Sequence, residues 1–424
     1  MSEQQFDSAA VDEASKSPIT FTDPETRRCP FPAYHKLRAE NPIYKDPVSG
    51  NYILTRYQDV RKAAMNTKTM SCKTGVIQTR KSAVSDKINA LFEEQGWLPM
   101  DTLVTNDPPS HKMYRSLVDK AFTRDRVLLL EPQIKQAVAA LIDGFIAKGE
   151  IDFFDEFAMR LPLTVFTDIL GVTDRDIDKF KRWNDRSLET SNPALSPERE
   201  LELVPSVIEL QQYLAKNVER VRNAPDESLL STIANAEVED GRKLDMRELI
   251  SILWLLFLGG GETTANALAG GMQTLIEHPA LVDEIRGDDG KLDAFVEEIL
   301  RIKAPATVMF RRATEEIEIG GVTIPKDGIV ETRFGAANLD PEVFPEPEKV
   351  DLDRENSKTH LTFGAGIHMC IGNQLARGEL REAFRQIVNR MHNFRLTRGT
   401  DSLDYTTTYV AYGLTKLWMA FDVR

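Results

Sequence analysis

The chain has 424 residues, 42% of them hydrophobic and 28% charged, a composition that can bury a large core. A net charge of −13 argues against nucleic-acid binding. Three cysteines (Cys29, Cys72, Cys370) are an odd number in a long chain, so they imply no disulfide framework and point to a reducing compartment.

Residues 1–20 begin "MSEQQFDSAAVDEASKS", polar and acidic, and read as a disordered N-terminus with no targeting signal. Residues 21–424 show no repeat, linker or composition break and read as one mainly helical domain with a minor β region. "PFPAYHKLRAENPIY" forms a short helix, with strand-like pieces around Ile43 and from Tyr52 to Thr55. His111 and Arg115 stand at i, i+4 after a Pro-Pro helix start and by themselves read as a solvated face. Apolar periodicity makes most of 110–300 helical.

A long buried helix is expected from about Asp245 to His278. Its most apolar part, Leu249 to Leu258, is about half of the ~20 residues needed to span a bilayer, so no membrane segment is expected. Gly259, Gly260 and Gly261 in mid-helix cost roughly 2–3 kcal/mol relative to alanine. Either a flat ligand and a local bulge offset that cost, or a close helix crossing does. Glu262 and Thr263 follow, an acid beside a hydroxyl that could bind water and relay protons. Glu298 and Arg301, at i, i+3, would by themselves be surface decoration.

Gly320-Gly321, between "EIEI" and "VTIP", signals a hairpin. Phe344 to Arg354 is coil. "FGAGIHMCIGNQLAR" then sets Cys370 in a glycine-punctuated loop ahead of a helix. Gly364, Gly366 and Gly372 demand positive φ or close approach by something bulky. The helix mouth favours a thiolate at Cys370. The helix from Ile371 to Met391 carries an apolar stripe at Leu380, Phe384, Ile387, Val388 and Met391. Arg377, Arg381 and Arg385 share another face, as a solvated surface or a dock for an acidic partner. "YVAYGLTKLWMAFD" closes the chain with strand-like alternation.

Together these motifs resemble the cytochrome P-450 superfamily, in its soluble bacterial branch. The cysteine-loop pattern is met at Phe363, Gly364, Gly366, His368, Cys370 and Gly372, and E-x-x-R at Glu298 and Arg301. The oxygen-binding helix pattern is met at Gly259, Gly260, Glu262, Thr263 and Thr264, H-x-x-x-R at His111 and Arg115, and R-x-A-T at Arg311, Ala313 and Thr314. Gly259 stands where alanine is usual and Val350 where phenylalanine is usual.

The resemblance implies a triangular helical prism holding heme b (iron protoporphyrin IX) between the glycine-containing helix and the cysteine-loop helix. It implies Cys370 as axial thiolate, approached by Phe363, Gly364, Gly372 and Gly260, with His111, Arg115, Arg311 and His368 on the propionates. Glu298 and Arg301 become a buried structural pair, joined by Arg354 or a neighbour. The implied activity is insertion of one oxygen atom from O2 into a hydrophobic small molecule such as a terpenoid, steroid, fatty acid or aromatic. Glu262 and Thr263 would manage protons, with Thr263 donating a hydrogen bond to dioxygen. Leu255, Gly259, Val308, Met309 and Val410 would contact substrate. Electrons would come from NAD(P)H through a ferredoxin docking near Arg377, Arg381 and Arg385, on a cytoplasmic monomer. A peroxide-driven enzyme, oxidative coupling or C–C cleavage, and a non-catalytic haem sensor or carrier stand as alternatives.

Overall fold

The computed structural model describes residues 18–74, 82–120, 122–173, 175–190, 195–238, 241–406 and 408–424. Most of the N-terminus expected to be disordered lies outside that range. Helices α1 (Phe31–Glu40), α2 (Ser85–Gln95), α3 (Ser110–Asp119), α4 (Arg124–Phe145) and α5 (Arg160–Leu170) precede α6 (Ile177–Glu189) and α7 (Pro197–Asn223). The central α8 (Met246–Glu277) follows, then α9 (Asp289–Lys303) and α10 (Asn373–Arg390).

The strands are short. They are β1 (Ile43–Lys45), β2 (Tyr52–Leu54), β3 (Met70–Ser71), β4 (Glu150–Asp152), β5 (Val308–Ala313) and β6 (Ile317–Ile319). After them come β7 (Val322–Ile324), β8 (Ile329–Arg333), β9 (Met391–Leu396), β10 (Asp404–Tyr405), β11 (Leu414–Lys416) and β12 (Trp418–Val423). The largest sheet runs β1-β2-β8-β5-β3. The expected hairpin is β6–β7, with Gly320 and Gly321 at φ 54° and 81°, and the alternating C-terminus forms β11 and β12.

Asp245 starts α8 with a capping box. Its carboxylate accepts from the Glu248 N–H at 2.8 Å, and the Glu248 carboxylate accepts from the Asp245 N–H at 2.8 Å. The helix runs 32 residues, about 48 Å at 1.5 Å per residue, and is buried along most of its length. No bulge interrupts it: α8 is continuous α-helix through the glycines. The close helix crossing is real but lies farther on. A Cβ at Gly271 would sit 2.3 Å from Phe384 Cζ on α10, and one at Gly270 would sit 2.9 Å from Lys303 Cγ on α9. Among the described residues no helix is long and apolar enough to cross a membrane.

Glu298 and Arg301 are not surface decoration; both side chains are fully buried. Arg301 donates to Glu298 at 2.7 and 2.9 Å and to the carbonyls of Asn338 (3.0 Å), Pro347 (2.6 Å) and Lys349 (3.3 Å). Arg354 Nε donates to the same Glu298 carboxylate at 3.1 Å, as does the Asp351 N–H. The Phe344–Arg354 coil is therefore ordered by two cations reading its carbonyls, Arg301 at Pro347 and Lys349 and Arg354 at Pro345, Glu346 and Lys349. Glu298→Gln keeps the shape but leaves Arg301 an uncompensated buried charge, a loss of about 3–5 kcal/mol. The expected outcome, read by urea denaturation, is a much lower midpoint or failure to accumulate folded protein.

Candidate active site

Between the middle of α8 and the start of α10 lies a cavity of about 1620 Å³ of atom-free space, its open mouth included. The loop that carries Cys370 forms one wall. Gly364 and Gly366 both have φ of 70°, and Gly366 lies close to Met65, where a Cβ would come 3.3 Å from the Met65 Cα. Gly372 differs: its φ is −84°, and a Cβ there would meet nothing within 4 Å, so it leaves the cavity wall flat. The Cys370 N–H donates to the Phe363 carbonyl at 2.8 Å, and the Cys370 carbonyl accepts from Asn373 Nδ2 at 2.7 Å. Phe363 is clamped behind the loop by Arg377, whose guanidinium lies 4.4 Å from the ring centroid.

The Cys370 sulfur is open to the cavity but surrounded by protein. Burial pushes its thiol up, against the downward pull of the Gly372 N–H, Arg115 and Arg377. Burial thus works against the preference for a thiolate that the helix mouth confers.

His111, Arg115, Arg311 and His368 meet at one end of the cavity, although they come from α3, β5 and the cysteine loop. The His111 and His368 rings lie 4.3 Å apart, and Arg115 Nη1 donates to the Met369 carbonyl at 2.8 Å. Burial, helped by His111 and Arg311, pushes His368 down to about 3. His368 Nδ1 is buried without a hydrogen-bond partner. An orphaned ring nitrogen among guanidinium groups is what a ligand's carboxylates would complete, so the residues present fit the propionate edge of haem. Cys72 was not foreseen here. Its sulfur lies 3.1 Å from His368 Nε2, and Asp107 accepts from its N–H at 2.8 Å. Nothing in the local sequence marks that long-range meeting.

Across the cavity, Thr263 is present and Glu262 is not. Successive residues of an uninterrupted helix point about 100° apart, and here Thr263 turns to the cavity while Glu262 does not. Thr263 Oγ1 donates to the Gly259 carbonyl at 2.6 Å, so toward the cavity it offers lone pairs rather than its proton. Glu262 is turned away, and burial together with the Asp185 charge pushes its carboxyl up to about 7. Gly259 and Gly260 both line the cavity, and a Cβ on Gly259 would meet nothing within 4 Å.

Of the expected substrate contacts, Leu255, Gly259 and Met309 line the cavity, joined by Leu103, Val104, Pro305 and Ala306. Val308 and Val410 do not. Strand alternation turns Val308 to the opposite face of β5, into the core of Phe21, Tyr34 and Leu37, and Val410 packs against that same core.

The reading of the arginine face of α10 is corrected. Arg377 pairs with Glu297 (2.6 Å), Arg381 with Asp293 (2.9 Å), and Arg385 with Asp289 (2.7 Å), so acids at the start of α9 and along it neutralise that face. Glu379 of the same helix is buried and lines the cavity, with Oε2 unpartnered. Its spacing of four from Ala383, on the buried stripe, could have shown this. Burial pushes its carboxyl up to about 8.

A carboxyl raised on folding is bound to its proton more tightly in the native state, so native stability falls as pH rises from the ordinary glutamate range through 8. Glu379→Gln should therefore raise the urea midpoint at pH 8 by an amount worth up to about 4 kcal/mol, with little change near pH 4.5. A gain that is the same at both pH values would contradict a neutral buried acid.

The model of the family Cytochrome P450 matches residues 291–412. Cytochrome P450 107B1 of Saccharopolyspora erythraea is 33% identical over 369 residues, which cover 86% of this chain and 88% of that protein. The vitamin D(3) 25-hydroxylase of Pseudonocardia autotrophica is 32% identical over 407 residues, or 93% and 94% of the two chains. The structure of cytochrome P450 CYP109Q5 from Chondromyces apiculatus superposes with a TM-score of 0.83 at 29% identity, covering 96% of this chain and 98% of that one. With the cysteine loop, the long glycine helix and the mainly helical fold, these likenesses show that the chain belongs to the cytochrome P450 family, haem monooxygenases that incorporate oxygen from O2.

Proposed function

We propose that this enzyme hydroxylates an uncharged, hydrophobic small molecule, with Cys370 holding the haem iron through its sulfur. The observation that carries the reading is the division of the cavity. Arg115 and Arg311 gather with His111 and His368, while Leu103, Val104, Leu255, Pro305, Ala306 and Met309 give an apolar wall. His111, Arg115, Arg311 and His368 hold the propionates. Haem, when bound, supplies the activation of oxygen. The chain's own residues exclude water, orient the substrate and deliver protons.

The apolar wall suits a terpenoid, steroid, fatty acid or small aromatic. The likeness to a vitamin D(3) 25-hydroxylase supports the steroid-like end of that range. Thr263, its proton committed to Gly259, accepts a hydrogen bond from a water in the cavity and fixes where that water releases a proton. Glu262 supplies the proton from behind. Electrons come from NAD(P)H through a ferredoxin to a cytoplasmic, monomeric enzyme. The paired arginines of α10 give little steering to that partner; nearer Cys370, the exposed Ile367 and Met369 offer an apolar contact.

Cys370→Ala should abolish the thiolate-type carbon-monoxide difference spectrum, while Cys29→Ala and Cys72→Ala preserve it; a surviving spectrum in Cys370→Ala would sink the assignment. A hydrophobic compound library, screened for spin-state shifts of the ferric protein, identifies the substrate. With that substrate, Thr263→Ala should consume NADH at a comparable rate but release much of the reducing power as peroxide. Unchanged coupling in that variant would mean that Thr263 does not place the water.

A further inference from the structure

At the cationic end of the cavity a thiol, a carboxylate and an imidazole meet from three separate parts of the chain. Cys72 follows the edge strand β3, Asp107 precedes α3, and His368 belongs to the cysteine loop. One ligand atom from each lies within 4.8 Å of the other two, and Cys72 Sγ is 3.1 Å from His368 Nε2. Among the described residues no other three cysteine, histidine or acidic side chains meet so closely. Cys72 is buried, while Asp107 and His368 are half-buried, so the group is held by protein yet open on one side.

The carboxylate is already fixed in place. One Asp107 oxygen accepts from the Cys72 N–H at 2.8 Å, and the other accepts from Ser71 Oγ at 2.5 Å. Each oxygen keeps a further lone pair. With Nε2 turned to the sulfur, His368 leaves Nδ1 unpartnered. An imidazole that ligates a metal through one nitrogen normally donates its other N–H to a carboxylate, and a haem propionate supplies one here. Thiolate, imidazole and carboxylate together suit zinc, whereas magnesium and calcium select oxygen alone. A tetrahedral zinc sets sulfur and nitrogen about 3.5 Å apart, so admitting it moves these side chains by only a few tenths of an ångström. Arg311 acts on both Cys72 and His368. The propionates take up that charge, which leaves a Cys72 thiolate and Asp107 to neutralise the ion.

We propose that Cys72, Asp107 and His368 form a zinc site, with water in the fourth position. On binding, the Cys72 S–H bond breaks, its electron pair forms the Zn–S bond, and the proton passes to bulk water. Zinc stays divalent, and nothing is oxidised or reduced. The ion clamps the end of β3 to the cysteine loop and fixes the His368 proton on Nδ1, toward the propionate. The site stands on the three side chains themselves; its link to the propionate rests on the function proposed above.

The probe is Zn2+ alone, added at one equivalent to the ferric holoprotein and followed by X-ray absorption at the zinc edge. The wild type should show one sulfur at about 2.3 Å beside nitrogen and oxygen at about 2.0–2.2 Å. Cys29 is exposed and offers a second sulfur, so Cys29→Ala should keep that spectrum while Cys72→Ser loses it. Competition with a chromophoric chelator should show zinc affinity falling at least about a hundredfold in Cys72→Ser and in Asp107→Asn, more than the loss of an outer partner costs. A normal carbon-monoxide difference spectrum, taken without zinc, verifies that each variant is folded and holds haem. Should Asp107→Asn fail that check, Cys72→Ser, a one-atom change, decides alone. No sulfur around zinc in the wild type, or an affinity unmoved in Cys72→Ser, overturns the site and leaves a thiol–imidazole hydrogen bond. By reciprocity, zinc should raise haem affinity about tenfold in the wild type and leave it unchanged in Cys72→Ser, read by equilibrium competition with apomyoglobin. If zinc binds the sulfur and haem affinity does not move, the site stands and its link to the propionate falls.

Discussion

One buried guanidinium organises the part of the molecule that holds the cysteine. Arg301 cannot lose its proton in a protein, and it has no route to water, so its surroundings must supply acceptors in fixed places. They are Glu298 and three main-chain carbonyls from residues 338–349. The order passes on. Asn338, whose carbonyl Arg301 holds, accepts from the Leu361 N–H at 2.6 Å and donates to Thr362 Oγ1 at 2.8 Å, while Thr362 donates to the Leu300 carbonyl at 2.6 Å. Phe363 is the next residue, and the loop to Cys370 starts there. Glu297 secures the other side, accepting from Arg377 at 2.6 Å and lying 3.2 Å from His360 Nε2. The sulfur is thus positioned by a network none of whose members touches it.

Much of this was legible in the sequence because local rules bind there. The long helix, the Gly320-Gly321 hairpin and the glycine loop each follow from neighbouring residues, and each is found. The motif residues His111, Arg115, Arg311 and His368 do converge at one end of a cavity. What local rules leave open is partnership across distance. Arg377, Arg381 and Arg385 look basic along their own helix, and only the packing of α9 beside α10 brings Asp289, Asp293 and Glu297 onto them. Cys72 reaches His368 only because β3 pairs with β5 at the sheet edge.

The direction in which a side chain points was the other gap. Glu262 and Thr263 make a functional pair in the sequence, but helical geometry separates them, one toward the cavity and one toward α6. The bulge expected at the glycines would have relaxed that separation, and the continuous helix does not. Val308 failed for the matching reason in a strand: its neighbour Met309 took the cavity face. In both places adjacency in sequence did not fix which way a side chain points.

The tight crossing at Gly270 and Gly271 has a consequence for how the molecule can breathe. Phe384 of α10 sits where a Cβ of Gly271 would be and packs edge-on against Phe295 of α9 at 5.1 Å, so three helices are riveted at one end of α8. That end acts as the spine of a book whose covers cannot part there without breaking core contacts. Toward the middle of α8 the glycines at 259 and 260 face open space or a distant ring, and the lining there includes a connecting segment at Leu103 and Val104. Any opening wide enough to admit a bulky guest is thereby confined to the fore-edge, leaving the distance between sulfur and spine unchanged while the pages turn.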